Sequence, residues 1–183
     1  MATITDDFNR ADNDALGTSS EGWSWTEVTG DIDIVSQVAT GQVSANSSAR
    51  AEIDLDSADH YAELAISDFG ANGVGPCCRF DPSAETFYVA YEDGTSLRLF
   101  KVIAGTFGSA LGTAASAGAS TVRIEANGTT IRVLDDGVEV INVTDGDITG
   151  HTRTGIVVGL GGDIDFFEAG DLDQRSRFLL TRF

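Results

Sequence analysis

Basic residues are scarce in this 183-residue chain, which has 11 Lys and Arg against 29 Asp and Glu and a formal net charge of −18. Such an acidic surface repels nucleic-acid phosphates and anionic membranes, so we expect neither as a partner. No apolar run approaches the roughly 20 residues of a membrane-spanning helix, and the start, MATITDDFNRAD, lacks a signal-peptide pattern. We therefore expect a soluble protein made in the cytoplasm.

Cysteine is almost absent, and the only two cysteines, Cys77 and Cys78, are adjacent. Neighbouring residues of a strand point to opposite faces, so these thiols cannot form one cross-link that holds the fold together. We expect both to be reduced, one as a small buried apolar group and the other half-exposed. His60 and His151 are isolated in the sequence, so no zinc site is predicted.

Helical periodicity is also missing, because no segment keeps a 3.6-residue apolar period over three turns. Short alternating runs separated by Gly, Asn, Asp and Ser recur instead, which is typical of about a dozen short strands. We predict an all-β, two-sheet antiparallel jelly-roll sandwich with little or no helix, formed by residues 1–173 as one domain. Residues 174–183 form a basic and apolar C-terminal tail.

A β-hairpin is predicted over residues 121–134, with its turn at Asn127-Gly128. The strongest local signal is a β-hairpin at residues 86–102, TFYVAYEDGTSLRLFKV, with its turn at Asp93-Gly94. Both faces of this hairpin carry large apolar side chains, whereas a solvated face would be mostly polar. We interpret it as the centre of a sheet whose second face is partly covered or curved into a groove.

Two tryptophans, Trp23 and Trp25, share one face of an extended segment. Such a pair either fills one end of a core or forms a stacking platform for a sugar, and buried aromatics dominate the packing of small domains. The core interpretation is therefore favoured. Four short strands are predicted next, the last of them over residues 50–55.

Several stretches together resemble the concanavalin A-like (laminin G-like) jelly-roll domains of lectins, glucanases and bacterial and phage surface proteins. They are DDFNRADNDALG, CRFDPSAETFYVAYEDGTSLRLFKV, VRIEANGTTIRVLDDGVEVINV and GDIDFFEAGDL, and they span roughly residues 6–172. The resemblance implies two large antiparallel sheets, adjacent first and last strands, and a concave face that binds carbohydrate in members with a ligand. The fold does not assign an activity, since it hosts enzymes, lectins and inert spacers.

If the central hairpin contributes to that concave face, its aromatic rings and guanidinium group are available to a surface glycan or to a neighbouring protein. The alternative is that the protein's own loops cover these aromatic rings. The predicted ligand-binding residues are Phe87, Tyr91, Arg98 and Phe100.

The run Glu52-Ile53-Asp54-Leu55-Asp56 resembles the Glu-x-Asp-x-Glu strand of laminarinase-type glucanases, whose outer glutamates act as nucleophile and acid/base. On a strand, the three carboxylates would share one face, and retaining hydrolysis needs two carboxyl groups about 5 to 5.5 Å apart. Asp56, however, is one methylene shorter than the glutamate of that pattern. We therefore predict an acidic strand edge, no catalytic residues and no enzyme activity.

A structural calcium ion is an open alternative, although no cofactor is required by the sequence. Ca²⁺ takes about 6 to 8 oxygen ligands, and adjacent first and last strands would bring several aspartates together. No EF-hand-like spacing is present. The candidate ligands are Asp6, Asp7, Asp163 and Asp165.

The charge balance changes abruptly at the C-terminal tail. Residues 1–173 carry all 29 acidic and 8 of the 11 basic residues, a balance of −21, whereas the tail has three arginines and no acid, a balance of +3. An exposed apolar segment favours aggregation, so we expect the tail to be covered by another surface. This surface is an open edge of the protein's own sandwich or, in the interpretation that we prefer, a second subunit or another virion protein. The predicted partner-binding residues are Arg175, Arg177, Phe178, Leu179, Leu180, Arg182 and Phe183.

Three classes of function compete for this chain. The lack of a signal peptide and the near absence of anything but one jelly roll favour a non-catalytic phage virion surface protein, such as a capsid decoration or fibre subunit. A carbohydrate-binding, lectin-like module is the alternative. A laminarinase-type glycoside hydrolase is third.

Overall fold

The computed structural model describes residues 3–43, 45–116, 118 and 120–172, and these contain sixteen β-strands and no helix. The strands form two antiparallel sheets of eight strands each. Sheet 1 contains, in spatial order, β14 (Val138–Thr144), β13 (Thr130–Asp135), β12 (Thr121–Asn127), β6 (His60–Phe69), β16 (Gly162–Asp171), β4 (Val38–Gly41) and β3 (Ile32–Val35), with β1 (Thr3–Asp6) also paired to β16.

Sheet 2 packs against sheet 1 and completes the predicted two-sheet sandwich, which is thereby confirmed. Near one edge of sheet 2, the strand Ser96–Ile103 (β9) pairs with two short strands, one after the other, because the chain turns back along it. Sheet 2 contains, in spatial order, β10 (Thr106–Phe107), β9 (Ser96–Ile103), β8 (Phe87–Glu92), β7 (Val74–Phe80), β15 (Arg153–Val158), β5 (Ser47–Ala51) and β2 (Trp25–Thr29), with β11 (Gly112–Ala115) also paired to β9.

The central hairpin predicted from the sequence is β8 and β9, which pair in register from Phe87 with Val102 to Glu92 with Leu97. Gly94 in the connecting turn has φ +83°, a conformation that glycine adopts without steric cost. A second predicted hairpin, β12 and β13 around Asn127-Gly128, is also present. Turn chemistry and alternation were therefore sufficient to find both hairpins.

The first and last strands lie side by side, as the resemblance implied. β1 pairs with β16 from Thr3 opposite Gly170 to Asp6 opposite Phe167, while β6 occupies the other side of β16. The two ends of the described chain therefore lie on neighbouring strands of sheet 1.

The main core lies between the two sheets and contains both tryptophans. The rings of Trp23 and Trp25 meet edge to face with centroids 4.9 Å apart, and Phe167 packs edge to face against both. Asp6, fully buried beside them, accepts a hydrogen bond from Nε1 of Trp25 at 2.8 Å and pairs with Arg10. The tryptophans therefore fill the core, and the interpretation of the pair as a sugar platform is wrong.

A second apolar cluster covers the outer face of sheet 2, the face that points away from sheet 1. Cys77 belongs to this cluster and Cys78 to the main core, so adjacent residues do point to opposite sides of the sheet. Both thiols are free and fully buried, and burial raises the pKa of each. The prediction that one of them is half-exposed is wrong, because the outer face is fully covered at Cys77.

The interior between the sheets also holds an arginine. The main chain of Arg79 has φ +53°, and the register of β15 against β7 shifts nearby, between Arg153 and Gly155. The guanidinium of Arg79 thus turns inward and donates hydrogen bonds to three carbonyl oxygens, and it pairs with the Asp59 carboxylate at 3.3 Å. The three carbonyl groups belong to Ala58, Gly128 and Ile148.

His60, fully buried, accepts the backbone N–H of this same Arg79 at Nε2, 3.0 Å away. Its proton is therefore on Nδ1, which donates to the Ser57 carbonyl at 2.9 Å. Burial, together with the nearby Arg79 charge, lowers the pKa of His60 to about 4, although the Ser57 bond acts in the opposite direction. The imidazole is thus neutral and structural.

Candidate functional site

The outer face of sheet 2 is a grid of aligned side chains. One row runs straight across five neighbouring strands, because each residue is the register partner of the next. Large side chains end the row and small ones fill its middle, and with strands about 4.8 Å apart the two ends are roughly 19 Å apart. The row is Arg50, Gly155, Cys77, Val89 and Phe100.

Loop 81–86 folds over part of this face. It joins β7 to β8, yet the carboxylate of Glu85 accepts hydrogen bonds from Ser48 of β5 at 2.8 Å and Thr29 of β2 at 2.7 Å. Those strands are two and three positions away from β7 in the sheet. The loop therefore covers the middle of the face and explains why the small residues there are buried.

Three aromatic rings form the part of the outer face that lies beyond this loop. We call this group, Tyr91, Phe100 and Phe107, the aromatic patch. The rings meet edge to face, with centroid separations of 6.3 Å (Tyr91 to Phe100), 6.4 Å (Tyr91 to Phe107) and 5.6 Å (Phe100 to Phe107). Tyr91 is almost buried, whereas Phe100 and Phe107 are half-buried and keep part of their surface open to solvent.

Polar groups border the aromatic patch on β8 and β9. Arg98, with 41% of its side chain exposed, is the register partner of Tyr91 and pairs with the Asp93 carboxylate at 2.9 Å. The hydroxyl group of Tyr91 donates to Oδ1 of Asn46 at 2.7 Å. Burial raises the pKa of Asp93, but hydrogen bonds from Thr95 and Ser96 outweigh it, and the resulting pKa is about 2. Asp93 is therefore ionised at physiological pH.

The predicted ligand-binding residues fall into two groups in the structure. Arg98 and Phe100 reach the surface, and Tyr91 lies in the same patch but is nearly covered. Phe87 is fully buried against Phe80, with ring centroids 4.4 Å apart, so its inclusion is wrong. Alternation placed it on the correct face but could not show which loop covers that end.

Phe107 was missed by the sequence analysis. It lies in β10, a strand of only two residues, within a Gly-, Ala- and Ser-rich connection. Its register partner Val102 belongs to the outer face. The available signal was the sharp turn at Ala104-Gly105, where both residues have positive φ and fold the chain back along β9.

A charged cluster, Arg50, Glu52, Asp54 and Arg153, lies at the opposite end of the face. Oε1 of Glu52 accepts from Arg50 and Oε2 accepts from Arg153, while Asp54 accepts from Arg153 and Thr152. Burial raises the pKa of Glu52, but its hydrogen bonds and the two arginine charges lower the pKa by more. The pKa of Glu52 is therefore below its ordinary value. Hydrogen bonds from Thr152 and Arg153 lower the pKa of Asp54.

This geometry corrects the strand predicted over residues 50–55. β5 ends at Ala51, so the acidic run leaves the sheet and Leu55 turns into the core. The carboxylates of Glu52, Asp54 and Asp56 therefore do not form a row on one strand face. A general acid for glycoside hydrolysis needs a raised pKa, whereas those of Glu52 and Asp54 are lowered.

The four candidate calcium ligands do not form one site. Asp6 uses its two oxygens on Arg10 and Trp25, Asp163 accepts from Thr40, and Asp165 accepts from Ser67. Among the described residues, no three His, Cys, Asp or Glu side chains come together in a way that could hold a metal ion. The expectation that adjacent end strands gather these aspartates is wrong, because the short pairing of β1 with β16 stops at Phe167.

The C-terminal tail, with all seven predicted partner-binding residues, lies outside the described residues, and its role stays a prediction. The described part of the chain has no helix that could span a membrane.

No protein-family model and no curated protein sequence matches the chain. Solved structures do: a carbohydrate-binding module, CBM66 from Bacillus subtilis, aligns with a TM-score of 0.64 at 20% identity, covering 80% of this chain and 92% of that one. The metal-free exoplasmic/lumenal domain of VIP36 gives 0.61 at 10% identity, with 93% and 92% covered. A prokaryotic β-1,3-1,4-glucanase (lichenase) from a mouse hindgut metagenome gives 0.61 at 9% identity, with 94% and 100% covered.

Proposed function

We propose that this chain is a non-catalytic carbohydrate-binding module and that it binds a glycan at the aromatic patch. It has the concanavalin A-like jelly-roll fold, which it shares with carbohydrate-binding and carbohydrate-cleaving proteins. We prefer the lectin-like alternative to the virion role, because the similar solved structures include a carbohydrate-binding module, while no observation on the described residues bears on a virion.

The partly open rings of Phe100 and Phe107 are the observation that carries this proposal. A sugar ring presents an apolar face of C–H groups, which packs on an aromatic ring, while its hydroxyl groups need planar polar partners. Arg98 lies on β9, the same strand as Phe100, and Asp93 lies in the turn between β8 and β9, so the guanidinium and the carboxylate can supply such partners. The patch thus combines both kinds of contact on rigid strands.

The absence of catalysis in this proposal is supported by the charged cluster. Hydrolysis with retention needs one protonated and one ionised carboxyl group near the same bond. Glu52 is held by two arginines and Asp54 by Arg153 and Thr152, so both remain ionised at neutral pH. The cluster therefore acts as a structural ion-pair network at the end of β5.

The proposal is tested by affinity gel electrophoresis against soluble polysaccharides of known composition. We expect the wild type to be retarded by at least one polysaccharide, and Phe100→Leu and Phe107→Leu to lose about 10-fold or more in affinity, because leucine keeps apolar bulk but removes the ring face. Ile103→Ala is the matched control, since Ile103 is an exposed apolar residue of the same strand, β9.

Two results would overturn the proposal. One is no retardation by any polysaccharide while the protein remains folded. The other is retardation that both leucine variants retain at wild-type strength. Hydrolysis of the same polysaccharides is assayed in parallel, with Glu52→Gln as the comparison, and turnover abolished by that substitution would contradict the non-catalytic assignment.

A partner role of the tail is a separate proposal, supported by its balance of +3 beside a body of −21. An acidic neighbour, such as a second copy of this chain or another virion protein, would attract its arginines. Deleting residues 174–183 and measuring the mass in solution tests it. We expect a smaller assembly than the wild type forms, and an unchanged mass would remove the partner role in self-assembly.

A further inference from the structure

We infer that the aromatic patch selects uncharged glycans and rejects polysaccharides that carry carboxylate or sulfate groups. This inference rests on the proposed function and adds the chemical class of the ligand to it. It follows from the charges of the described residues around the patch, which leave no cation free to recognise an anionic sugar.

Among the described residues, we place one cation beside the aromatic patch. This cation is Arg98, and it is already paired. Its Nη2 lies 2.9 Å from Oδ2 of Asp93. Asp93 stays ionised because its pKa is about 2, so the pair is neutral as a unit throughout the physiological range. An anionic sugar would have to displace Asp93 to use this guanidinium, whereas a hydroxyl group can accept from Arg98 beside it.

The rest of the outer face adds negative charge. Its other two arginines, Arg50 and Arg153, are both held by Glu52, and Arg153 also contacts Asp54. The charges considered on this face are thus three arginines against five carboxylates, a balance of −2. The carboxylates are Glu52, Asp54 and Asp93 together with Asp81 and Glu85 of loop 81–86, which folds over this face.

This local charge has the same sign as that of the whole chain, which is −18. A polyanion is therefore repelled as it approaches the patch, and among the described residues around the patch no unpaired cation compensates for this repulsion. The repulsion is electrostatic and is screened beyond about 8 Å at physiological ionic strength, so added salt must weaken it. An uncharged glycan does not experience this term, and its binding should change little with salt.

The experiment compares one polymer in two forms. The neutral polysaccharide that binds best in the electrophoresis screen is carboxymethylated in part, and the affinities of the two forms are measured at low and at high NaCl. We expect the carboxymethylated form to bind about 10-fold more weakly at low salt, and most of this difference to disappear at high salt.

A pair of variants tests the role of Asp93 directly. Asp93→Asn keeps an oxygen that can accept the turn hydrogen bonds but releases Arg98, so binding of the carboxymethylated form should improve about 3-fold. Asp136→Asn is the matched control, because it removes the same charge from a similar acceptor in the turn between β13 and β14 of sheet 1. It should leave both affinities unchanged.

The outcomes distinguish a failure of this inference from a failure of the proposed glycan-binding function on which it rests. If no polysaccharide of either kind binds, the proposed function fails. If acidic polysaccharides bind as well as or better than neutral ones, binding stands but the inference is overturned. An equal gain for Asp93→Asn and Asp136→Asn would also overturn it, because the selectivity would then come from total charge and not from the Arg98 pair.

Discussion

The outer faces of the two sheets differ in what they present to solvent. On sheet 1, strands β6, β12, β13 and β14 carry a ladder of alternating charges, in which Arg123 pairs with Glu63 and Glu125, and Arg132 pairs with Glu125 and Glu139. The Arg123 guanidinium also lies 3.6 Å from the centroid of the Tyr61 ring. Each charge of this ladder has a partner within the same face.

On sheet 2 the corresponding face holds a second apolar cluster, a loop that covers its middle and an aromatic patch that remains partly open. A solvated sheet does not need these aromatic residues for stability, since polar side chains serve sheet 1 in the same position. The difference fits the proposal that sheet 1 is a solvent-facing scaffold and that sheet 2 carries the face on which a glycan binds.

The largest expected effect is on stability and comes from the second apolar cluster. Phe87→Ala removes a fully buried ring that packs against Phe80, and we expect a loss of about 4 kcal/mol in the free energy of unfolding. Val138→Ala, on the solvent side of β14 in sheet 1 and 65% exposed, should change it by less than about 0.5 kcal/mol. Urea denaturation measures both. Similar losses for the two variants would show that the second cluster is not a true core.

A smaller effect is expected on the pH dependence of stability, and it comes from the interior between the sheets and not from either outer face. The folded-state pKa of His60 is about 4 against an ordinary 6.5, so the unfolded chain binds more protons between these values. The stability that His60 contributes is therefore fully present above pH 6.5 and is lost as the pH falls toward 4. From about pH 7 to about pH 4.5 we expect a loss of roughly 2.5 kcal/mol from this group.

The variant His60→Gln isolates this contribution, because glutamine cannot titrate but keeps an oxygen that can accept the N–H of Arg79. Its stability at pH 7 is lower than that of the wild type, yet its decrease toward pH 4.5 should be smaller by about the same 2.5 kcal/mol. Parallel pH profiles of the two proteins in urea denaturation would contradict a buried neutral imidazole.

The smallest effect concerns one ion pair from each face. Arg132 and Glu139 of sheet 1 are 40% and 42% exposed in their side chains, and Arg98 of sheet 2 is 41% exposed beside Asp93. Double-mutant cycles to alanine should give coupling energies below about 1 kcal/mol in both cases. Only the Arg98 pair should also change the affinity for carboxymethylated polysaccharide. A change in that affinity on breaking the sheet 1 pair would remove the distinction between the faces.

Sequence reasoning identified the fold because its signals are local. Alternation and the Asp93-Gly94 and Asn127-Gly128 turns define hairpins without any long-range information, and the apolar residues on both faces of β8 correctly indicated a covered second face. Trp25 was assigned to the core on the same kind of argument.

The site could be predicted only in part, since it depends on loops that fold back from a distance. Glu85 covers the middle of the outer face by binding Ser48, 37 positions earlier, and no local pattern encodes that contact. Likewise, Glu52 leaves the strand because residues 53–55 turn inward, although its period-two pattern is typical of a strand. Alternation specifies a face, whereas tertiary contacts decide which residues of that face stay open.

The most direct test of the central claim is amide chemical-shift mapping of the isotope-labelled protein during titration with the neutral polysaccharide fragment that binds best. The account predicts shifts concentrated in β8, β9 and β10, at Tyr91, Arg98, Phe100 and Phe107, with β12, β13 and β14 unaffected. Shifts concentrated on the charged ladder of sheet 1, or on the cluster around Glu52, would contradict it.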